Sequence, residues 1–181
     1  MENRRKALKF ILAAGTLVAI APLATGRDFF YRKETQELPR QKIANLKELS
    51  EPGSYVNFVY PKTGDQKIDS DPFRQFILIK TKDNKLRAFS RVCVHLWCLP
   101  SYFPQRGELI CPCHGSVYRE EDGVGIEGPV LYQTYPTNAL PMVELEVEES
   151  TGDVYAVGID GILGYGRNWR DRTPDSMVKR V

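Results

Sequence analysis

The residues of this chain that can bind a metal lie in two short segments, which hold every cysteine and histidine of its 181 residues. The first, residues 93–98, reads Cys-Val-His-Leu-Trp-Cys, and the second, residues 111–116, reads Cys-Pro-Cys-His-Gly-Ser. Thiolates and imidazoles are the ligands of soft and borderline metals. Because all six side chains lie between residues 93 and 116, we expect the chain to be built around one metal site.

The number of these side chains limits the kind of metal site. A single tetrahedral zinc takes four ligands, so six are more than it needs. A two-iron, two-sulfide cluster can take a pair of cysteines on one iron and a pair of histidines on the other, which is the mixed ligation of a Rieske centre. Two cysteines, one from each segment, are then left to pair with each other. A zinc site and a pure disulfide framework are the alternatives.

The two segments together resemble the Rieske iron–sulfur proteins of quinol:cytochrome c oxidoreductases, the cytochrome bc-type complexes. Those proteins have Cys-Thr-His-Leu-Gly-Cys in the first segment and Cys-Pro-Cys-His-Gly-Ser-x-Tyr in the second. The chain matches the second through Ser116 and Tyr118 and departs from the first at Val94 and Trp97. The resemblance implies one [2Fe–2S] cluster per chain, with four protein ligands and one disulfide: Cys93 and Cys111 on one iron, His95 and His114 on the other, and a bond between Cys98 and Cys113.

A soluble Rieske ferredoxin of a ring-hydroxylating dioxygenase is a competing class. In that group the two additional cysteines are typically missing, so the presence of Cys98 and Cys113 favours the quinol-oxidising branch. A disulfide also indicates an oxidising compartment, because structural disulfides persist outside the cytosol. We therefore expect the cluster domain to lie on the extracytoplasmic side of the cell (plasma) membrane.

The resemblance also assigns roles to side chains that surround the cluster. The Ser116 hydroxyl would donate a hydrogen bond to a bridging sulfide, and the Tyr118 phenol would donate one to the Cys93 sulfur. Hydrogen bonds to the sulfurs stabilise the more negative, reduced cluster and raise its reduction potential. We therefore expect a potential on the order of +100 to +300 mV, in the upper part of the range for such centres.

Positions next to the ligands complete the expected environment of the cluster. In the resembled family Leu96 covers the cluster from solvent, and Gly128 and Pro129 resemble the start of the proline-containing loop that packs over it. Trp97 replaces the family's glycine at the tip of the first segment, so either the backbone tolerates a side chain there or the loop is remodelled. An aromatic side chain at this tip would add to the surface that docks on a cytochrome b partner.

Two histidines on one iron would couple electron transfer to proton transfer. A quinol hydroxyl that hydrogen-bonds to an exposed imidazole nitrogen can give a proton to that imidazole and an electron to the cluster. Reduction of the iron makes the imidazole a better base, so the two transfers favour each other. By resemblance, His114 is the expected quinol contact and proton acceptor, and His95 is its exposed companion.

The N-terminus predicts a twin-arginine export signal that is retained as a membrane anchor. Arg4 and Arg5 precede an uncharged run over residues 10–26. This run is shorter than the roughly 20 residues that span a bilayer comfortably, but aromatics at 29–31 can extend it at the outer interface. The basic residues place the N-terminus in the cytoplasm. We expect residues 1–26 to form this signal and a single transmembrane helix.

The remainder of the chain divides into a linker, one domain and a tail. Residues 27–45 are polar and charged, and we expect a linker or hinge there. Residues 46–166 are expected to form the Rieske [2Fe–2S] domain, and residues 167–181 a basic C-terminal tail. The chain carries 25 basic and 23 acidic side chains, and this near-neutral balance argues against nucleic-acid binding.

Short runs of β-branched and aromatic residues between turn residues predict a mainly β domain, an antiparallel sandwich or barrel. The ligand segments fall between predicted strands, where a rigid scaffold can present loops at its tip. Hairpin turns are predicted at residues 83–85 and 151–153. Strands are predicted over six ranges: Tyr55–Tyr60, Gln75–Lys80, Leu86–Arg91, Val117–Arg119, Met142–Val147 and Val154–Ile159.

These expectations describe a membrane-anchored Rieske subunit of a bc-type respiratory or photosynthetic complex, which passes an electron from quinol to a c-type cytochrome or an equivalent acceptor. The expected partners are a cytochrome b subunit, that acceptor, quinol and membrane lipid, in a dimeric multi-subunit complex. The chain alone would therefore not be a complete enzyme. The alternative is the small Rieske subunit of an arsenite-oxidase-like enzyme, which relays electrons without oxidising quinol.

Overall fold

Short β-strands make up most of the regular structure. The computed structural model describes Lys6, Lys9 and residues 38–132 and 135–181. The strands of this described part are β1 (Gln41–Asn45), β2 (Tyr55–Val59), β3 (Gln75–Lys80), β4 (Leu86–Ser90), β5 (Ser101–Phe103), β6 (Glu108–Ile110), β7 (Val117–Arg119), β8 (Gly125–Glu127), β9 (Met142–Glu148), β10 (Asp153–Asp160) and β11 (Val178–Arg180). Its helical segments are the α-helix Gln66–Asp69 and the 3-10 turns Leu46–Leu49, Pro72–Arg74, Gly128–Tyr132 and Pro174–Met177.

The described strands form two sheets. The larger has the order β1-β10-β9-β4-β3-β2, and β11 joins it by pairing in parallel with β9. The smaller has the order β5-β6-β7-β8. All the other strand pairs in these sheets are antiparallel. The predicted mainly β, antiparallel class is therefore confirmed.

Side chains connect the two edges of the larger sheet. Gln41 of β1 donates through Nε2 to the carbonyl of Val59 in β2 (2.7 Å) and accepts from the Lys62 N–H (2.7 Å). The Tyr60 hydroxyl donates to the carbonyl of Pro39 (2.9 Å), which precedes β1. Because its first and last strands are linked in this way, the larger sheet is nearly closed on itself.

Strand β3 separates two hydrophobic cores. Successive side chains of a strand point to opposite faces, so Phe76 and Leu78 enter one core and Ile77 and Ile79 the other. The first core is lined by strands of the larger sheet. The second core lies between the two sheets and includes Cys93 and Cys111 of the ligand segments. The sheet packing therefore anchors the start of each segment.

The six predicted strands are all present in the described part, and each end lies at the predicted residue or one residue away. Both hairpin turns are also confirmed. In the first, Thr81 N–H donates to the Lys85 carbonyl (2.8 Å) and Asn84 has φ 63°. In the second, Gly152 N–H donates to the Glu148 carbonyl (2.8 Å). Strands β5, β6, β8 and β11, of three residues each, were not predicted; β7 is equally short, but its place directly after the second ligand segment indicated it.

The predicted linker ends earlier than expected, because residues 41–45 form strand β1. This strand pairs with β10, and its Ala44 is buried in the first core. Just before it, Arg40 lies over the Tyr155 ring (3.4 Å) and donates to Glu146 (2.9 Å). An edge strand can carry polar side chains because its pairing uses the backbone, so composition did not reveal it. The rest of the predicted linker, residues 27–37, lies outside the described residues.

The C-terminal segment, residues 167–181, packs on the rest of the β domain and is not a free tail. The buried guanidinium of Arg167 donates to the Asp122 carbonyl (2.6 Å), and Met177 is buried in the second core. Asp175 forms an ion pair with Arg87, which is itself buried. The basic composition suggested a tail, but these contacts make the segment part of the domain.

The predicted membrane anchor does not fall within the described part of the chain. No helix among the described residues is long and apolar enough to cross a bilayer. The predicted signal and anchor, residues 1–26, lies outside the described residues apart from Lys6 and Lys9.

Candidate metal centre

The first ligand segment forms a closed turn between β4 and β5. Its Cys93 N–H donates to the Cys98 carbonyl (2.8 Å), and its Trp97 N–H donates back to the Cys93 carbonyl (2.9 Å). These two hydrogen bonds close a loop that carries three of the six candidate side chains. The turn therefore holds the first and last cysteines of the segment at its base.

The second ligand segment repeats this backbone pattern between β6 and β7. Cys111 N–H donates to the Ser116 carbonyl (2.8 Å), and Gly115 N–H donates to the Cys111 carbonyl (3.1 Å). Cys93 and Cys111 therefore occupy equivalent positions in the two loops, as do Trp97 and Gly115.

The two equivalent cysteines are buried and carry free thiols. Burial raises the pKa of the Cys111 thiol, and the neighbouring Cys93 thiol raises it further. Hydrogen bonds from the backbone N–H groups of Cys113 and His114 to the Cys111 sulfur act in the opposite direction. Donors directed at a sulfur stabilise negative charge on it, which is the charge that a metal-bound thiolate carries.

The two histidines, one from each loop, contact each other. The rings of His95 and His114 lie edge to face, with centroids 4.9 Å apart and an interplanar angle of 88°. His114 is exposed and His95 is half-buried. His95 Nδ1 is buried yet has no hydrogen-bond partner within the described residues, and the same is true of Ser116 Oγ. A buried polar atom without a partner is costly unless a bound group satisfies it.

Tyr118 places its hydroxyl beside the first thiol. The side chain is fully buried, and its oxygen lies 3.1 Å from Cys93 Sγ and accepts a hydrogen bond from Val94 N–H (3.2 Å). Burial raises the pKa of Tyr118 well above its ordinary value, so the phenol keeps its proton. Because the oxygen already accepts from Val94, the phenol proton is available for the Cys93 sulfur.

A disulfide joins the two loops. Cys98 and Cys113 are bonded, as the resemblance implied. Their sulfurs and the sulfur of Cys111 all lie within 4.8 Å of one another. Two of these three sulfurs are consumed by the disulfide, so only Cys111 among them remains as a thiol ligand. The disulfide therefore leaves two cysteines and two histidines as the candidate ligand set.

A third segment lies against the second ligand loop. It is the turn Gly128–Tyr132, which contains Gly128 and the half-buried Pro129. A Cβ atom on Gly128 would overlap the Gly115 carbonyl oxygen and lie 2.8 Å from its carbon. Val130, two residues on, is buried in the same core as Cys93 and Cys111. The segment thus packs against the second ligand loop, and its role over the cluster stays a prediction.

This close approach makes Gly128→Ala a test of the packing over the site. Gly128 has φ 74°, and Gly64 has φ 86° with no atom within 4 Å of its virtual Cβ. Both alanine variants carry the left-handed backbone cost of about 1–2 kcal/mol, and Gly128→Ala adds overpacking worth about 1–3 kcal/mol. We expect Gly128→Ala to be the less stable variant in denaturant titrations and to release iron faster. Equal stability of the two variants would contradict the close packing of this segment.

Leu96 and Trp97 project from the tip of the first loop. Leu96 is 60% exposed and Trp97 is 48% exposed. Trp97 has φ 63°, and Gly115, its equivalent in the second loop, has φ 72°. The left-handed region costs a residue with a Cβ about 1–2 kcal/mol. The loop is therefore not remodelled at Trp97, since the backbone keeps a glycine-like conformation and carries a large side chain.

Sequence reasoning missed several residues that support the site. Val130 is buried in the same core as Cys93 and Cys111, and Phe73, Gly164 and Tyr165 contact Trp97. The glycines at 161, 164 and 166 indicate a tight turn in the sequence, but no spacing rule connects them to Trp97. Only the folded chain brings residues so distant in sequence together.

The donor set fits a [2Fe–2S] cluster with mixed ligation. Two buried thiols at equivalent loop positions suit one iron, and two adjoining imidazoles suit the other. The partnerless Nδ1 of His95 and Oγ of Ser116, within the described residues, are consistent with a metal ligand and a hydrogen-bond donor to the bound group. Cys93, His95, Cys111 and His114 are the residues that would hold the cluster.

Comparison with known proteins identifies relatives with the same architecture. A protein of Haloferax mediterranei named for the Rieske subunit of a respiratory nitrate reductase is 28% identical over 90% of this chain and 80% of its own length. The cytochrome b6-f complex iron–sulfur subunit of Chlorobaculum thiosulfatiphilum is 31% identical over 71% of this chain and 64% of its own. The crystal structure of the soluble domain of Rieske protein II from Sulfolobus acidocaldarius aligns with a TM-score of 0.53 and 26% identity, covering 78% of this chain and 89% of that one.

The family assignment rests on a match over more than half of the chain. The family model of the Rieske [2Fe-2S] domain matches residues 39–139. The match begins just before β1, in agreement with the place of that strand in the domain, and it includes both ligand loops and the turn Gly128–Tyr132. The chain therefore belongs to the Rieske [2Fe-2S] domain family, and its cofactor is a [2Fe–2S] cluster that serves electron transfer.

Proposed function

We propose that this chain takes an electron from quinol and passes it to a c-type cytochrome or an equivalent acceptor, as the Rieske subunit of a bc-type complex. The observation that carries the proposal is the position of the two histidines. His114 is exposed and its ring packs edge to face on the His95 ring, whereas the thiols of Cys93 and Cys111 in the same two loops are buried. A substrate can therefore reach the exposed His114 imidazole, while the two thiols stay in the protein core.

The side chains of the site support a coupled transfer of one electron and one proton. When bound, the cluster supplies one-electron chemistry. His95 has a buried, partnerless Nδ1 within the described residues, which leaves its Nε2 as the nitrogen that can exchange a proton. A quinol hydroxyl that hydrogen-bonds to the outward ring nitrogen of His114 would give that nitrogen its proton as its electron leaves. The apolar core under the loops keeps water from the thiols during this exchange.

The potential of the site is expected to depend on Ser116 and Tyr118. Both hydroxyls are buried, and Tyr118 is aimed at the Cys93 sulfur. Ser116→Ala and Tyr118→Phe each remove a donor that stabilises the reduced state. Hydrogen bonds to the cluster sulfurs raise the reduction potential, so we expect each variant to lower the midpoint potential by roughly tens of millivolts. A redox titration followed by EPR measures this shift.

Tyr102→Phe is the matched control for this prediction. Tyr102 is also a buried phenol of the second core, but its hydroxyl donates to the Glu120 carboxylate. Its loss should reduce stability without moving the midpoint potential. An unchanged potential in both Ser116→Ala and Tyr118→Phe would contradict the tuning role.

We also propose that the domain lies outside the cytoplasm, held to the membrane by residues 1–26. The disulfide between Cys98 and Cys113 supports an oxidising compartment. The paired arginines Arg4 and Arg5 before an apolar run support twin-arginine export and an N-terminus in the cytoplasm. The proposed partners are a cytochrome b subunit, which would complete the quinol site, and the acceptor cytochrome, in a dimeric complex.

A second candidate is an electron-relay subunit of an oxidoreductase that does not oxidise quinol. The relative from Haloferax mediterranei, which is named for a nitrate reductase subunit, aligns over 90% of this chain. In such an enzyme the cluster would receive its electron from, or give it to, another redox centre. The arsenite-oxidase-like subunit considered from the sequence falls in this class.

The deciding experiment is EPR of the reduced cluster in native membranes, with and without an inhibitor of quinol oxidation. A shift of the signal by the inhibitor would support contact between the cluster and a quinol site. A Rieske signal that the inhibitor leaves unchanged would favour the relay subunit. A colourless protein that contains zinc would contradict both.

A further inference from the structure

Trp97 has a left-handed backbone conformation, and the equivalent residue in the second loop, which has the same conformation, is a glycine. Trp97 and Gly115 have φ 63° and 72°, and each donates its N–H to the cysteine four residues earlier. In the left-handed region the Cβ atom crowds the carbonyl, so this conformation disfavours tryptophan. Glycine, which the resembled family has here, would satisfy the turn without that cost. Tertiary contacts must therefore stabilise the tryptophan.

The indole of Trp97 makes three such contacts. Its Nε1 donates to the Gly164 carbonyl at 3.0 Å. Its ring packs edge to face on Phe73, with centroids 6.0 Å apart, and on Tyr165, with centroids 5.8 Å apart. Phe73 belongs to the turn before β3, and Gly164 and Tyr165 follow β10. The indole thus connects the first ligand loop to two segments outside the ligand loops.

The segment after β10 is shaped to receive the indole. Gly164 has φ 77°, and a Cβ atom on it would lie 2.7 Å from Trp97 Cδ1 and 2.9 Å from Phe73 Cε1. These separations are shorter than non-bonded carbon–carbon contacts allow. A side chain at residue 164 and the observed position of the indole therefore exclude each other.

We propose that Trp97 is a positioning residue, which together with Phe73, Gly164 and Tyr165 forms an aromatic clamp on the first ligand loop. The disulfide ties this loop to the second loop through Cys98. The clamp acts at the adjacent residue and ties the same loop to the body of the domain. The segment that carries His95 is then held at two consecutive residues, by the clamp at Trp97 and by the disulfide at Cys98.

This inference rests on the cluster-binding site and does not depend on the electron donor. Trp97 and Tyr165 are also 48% and 63% exposed, which is compatible with a role in docking a partner. The two roles differ in the isolated protein, because a docking residue has no effect on its own loop when the partner is absent. The test therefore uses the purified, cluster-loaded full chain in detergent.

The test is Trp97→Gly, followed by hydrogen exchange of the amides of residues 93–98. The variant relieves the backbone conformation and removes the clamp, so the two effects have opposite signs. If the clamp positions the loop, exchange becomes about five- to tenfold faster, the factor expected for the loss of one hydrogen bond. The EPR lines of the reduced cluster should also broaden, because the ligand geometry becomes heterogeneous.

Two further variants separate the contacts of the clamp. Trp97→Phe keeps a ring but loses the Nε1 donor, so its exchange rates should lie between those of the wild type and Trp97→Gly. Gly164→Ala leaves the sequence of the ligand loop unchanged but displaces the indole. It should therefore speed the exchange of residues 93–98 as Trp97→Gly does. Gly64→Ala, at a similar φ in open space, is the control and should leave residues 93–98 unchanged.

Unchanged or slower exchange in Trp97→Gly would overturn the proposal, as would a Gly164→Ala variant with wild-type exchange and EPR lines. If either variant fails to fold, Tyr165→Ala serves in its place, because Tyr165 is mostly exposed and its removal deletes one wall of the clamp. Wild-type exchange in Tyr165→Ala would then count against the clamp, and faster exchange would support it. Loss of partner binding with an unaltered loop would assign Trp97 to docking instead.

Discussion

Cys111→Ser is expected to leave the chain without its [2Fe–2S] cluster. Cys111 is a buried free thiol at the base of the second loop, and the backbone N–H groups of Cys113 and His114 point at its sulfur. An alcohol at this position stays protonated and offers iron a poor ligand in place of a soft thiolate. Iron and acid-labile sulfide per chain should fall to near zero, with loss of the visible absorption and of the EPR signal.

The control for this result is Cys98→Ser, the same chemical change in the neighbouring loop. Cys98 is in the disulfide, so this variant keeps all four proposed ligands. It should still bind iron when purified promptly, although it holds the cluster less durably. A Cys111→Ser protein with a full complement of iron and sulfide would contradict the ligand assignment. Far-UV circular dichroism of both variants shows whether the β-sheets have formed.

The double variant Cys98→Ser/Cys113→Ser is expected to lose much of the stability of the ligand loops. The disulfide closes a loop of 15 residues, for which the chain-entropy model gives about 3 kcal/mol. Because the two half-cystines also lie beside the Cys111 sulfur, their removal frees the second loop at the site itself. We expect a lower denaturation midpoint and a much faster release of iron during storage in air.

The appropriate comparison is between the double variant and the wild type at equal cluster loading. Denaturation of a cofactor-bearing protein is not a simple two-state process, so the rate of iron release is the more direct measurement. A double variant that retains its cluster as long as the wild type would show that the disulfide does not hold the loops. The Gly64→Ala variant, whose added Cβ would meet no atom within 4 Å, gives the scatter expected from an unrelated substitution.

The chemistry of the site was predictable because it is local in the sequence. Each ligand loop is a turn closed by its own backbone hydrogen bonds, so its ligands lie within six consecutive residues. Ligand types and spacings therefore appear in the sequence, and the pairing of Cys98 with Cys113, implied by the family resemblance, is confirmed. The long strands β3, β4, β9 and β10 were predictable for a similar reason, since their alternation or apolar runs span five or more residues.

The edges of the domain were not predictable from composition. Strand β1 lies in a stretch that reads as a charged linker, and β11 in one that reads as a basic tail. Both strands pair through the backbone with β10 and β9, and backbone pairing leaves little trace in side-chain composition. Arg167 illustrates the same limit, because a cation expected in solvent is buried on the Asp122 carbonyl.

The sequence by itself determined which six thiol and imidazole side chains are available to a metal, and the β class of the fold. These properties depend on residue types and on neighbours a few positions apart. Only the tertiary structure decided how the two loops meet, that Gly128 lies on the carbonyl of Gly115, and that Trp97 lies on Gly164. Such contacts join residues 13 to 67 positions apart, and they arise from packing of the whole chain, which no local pattern encodes.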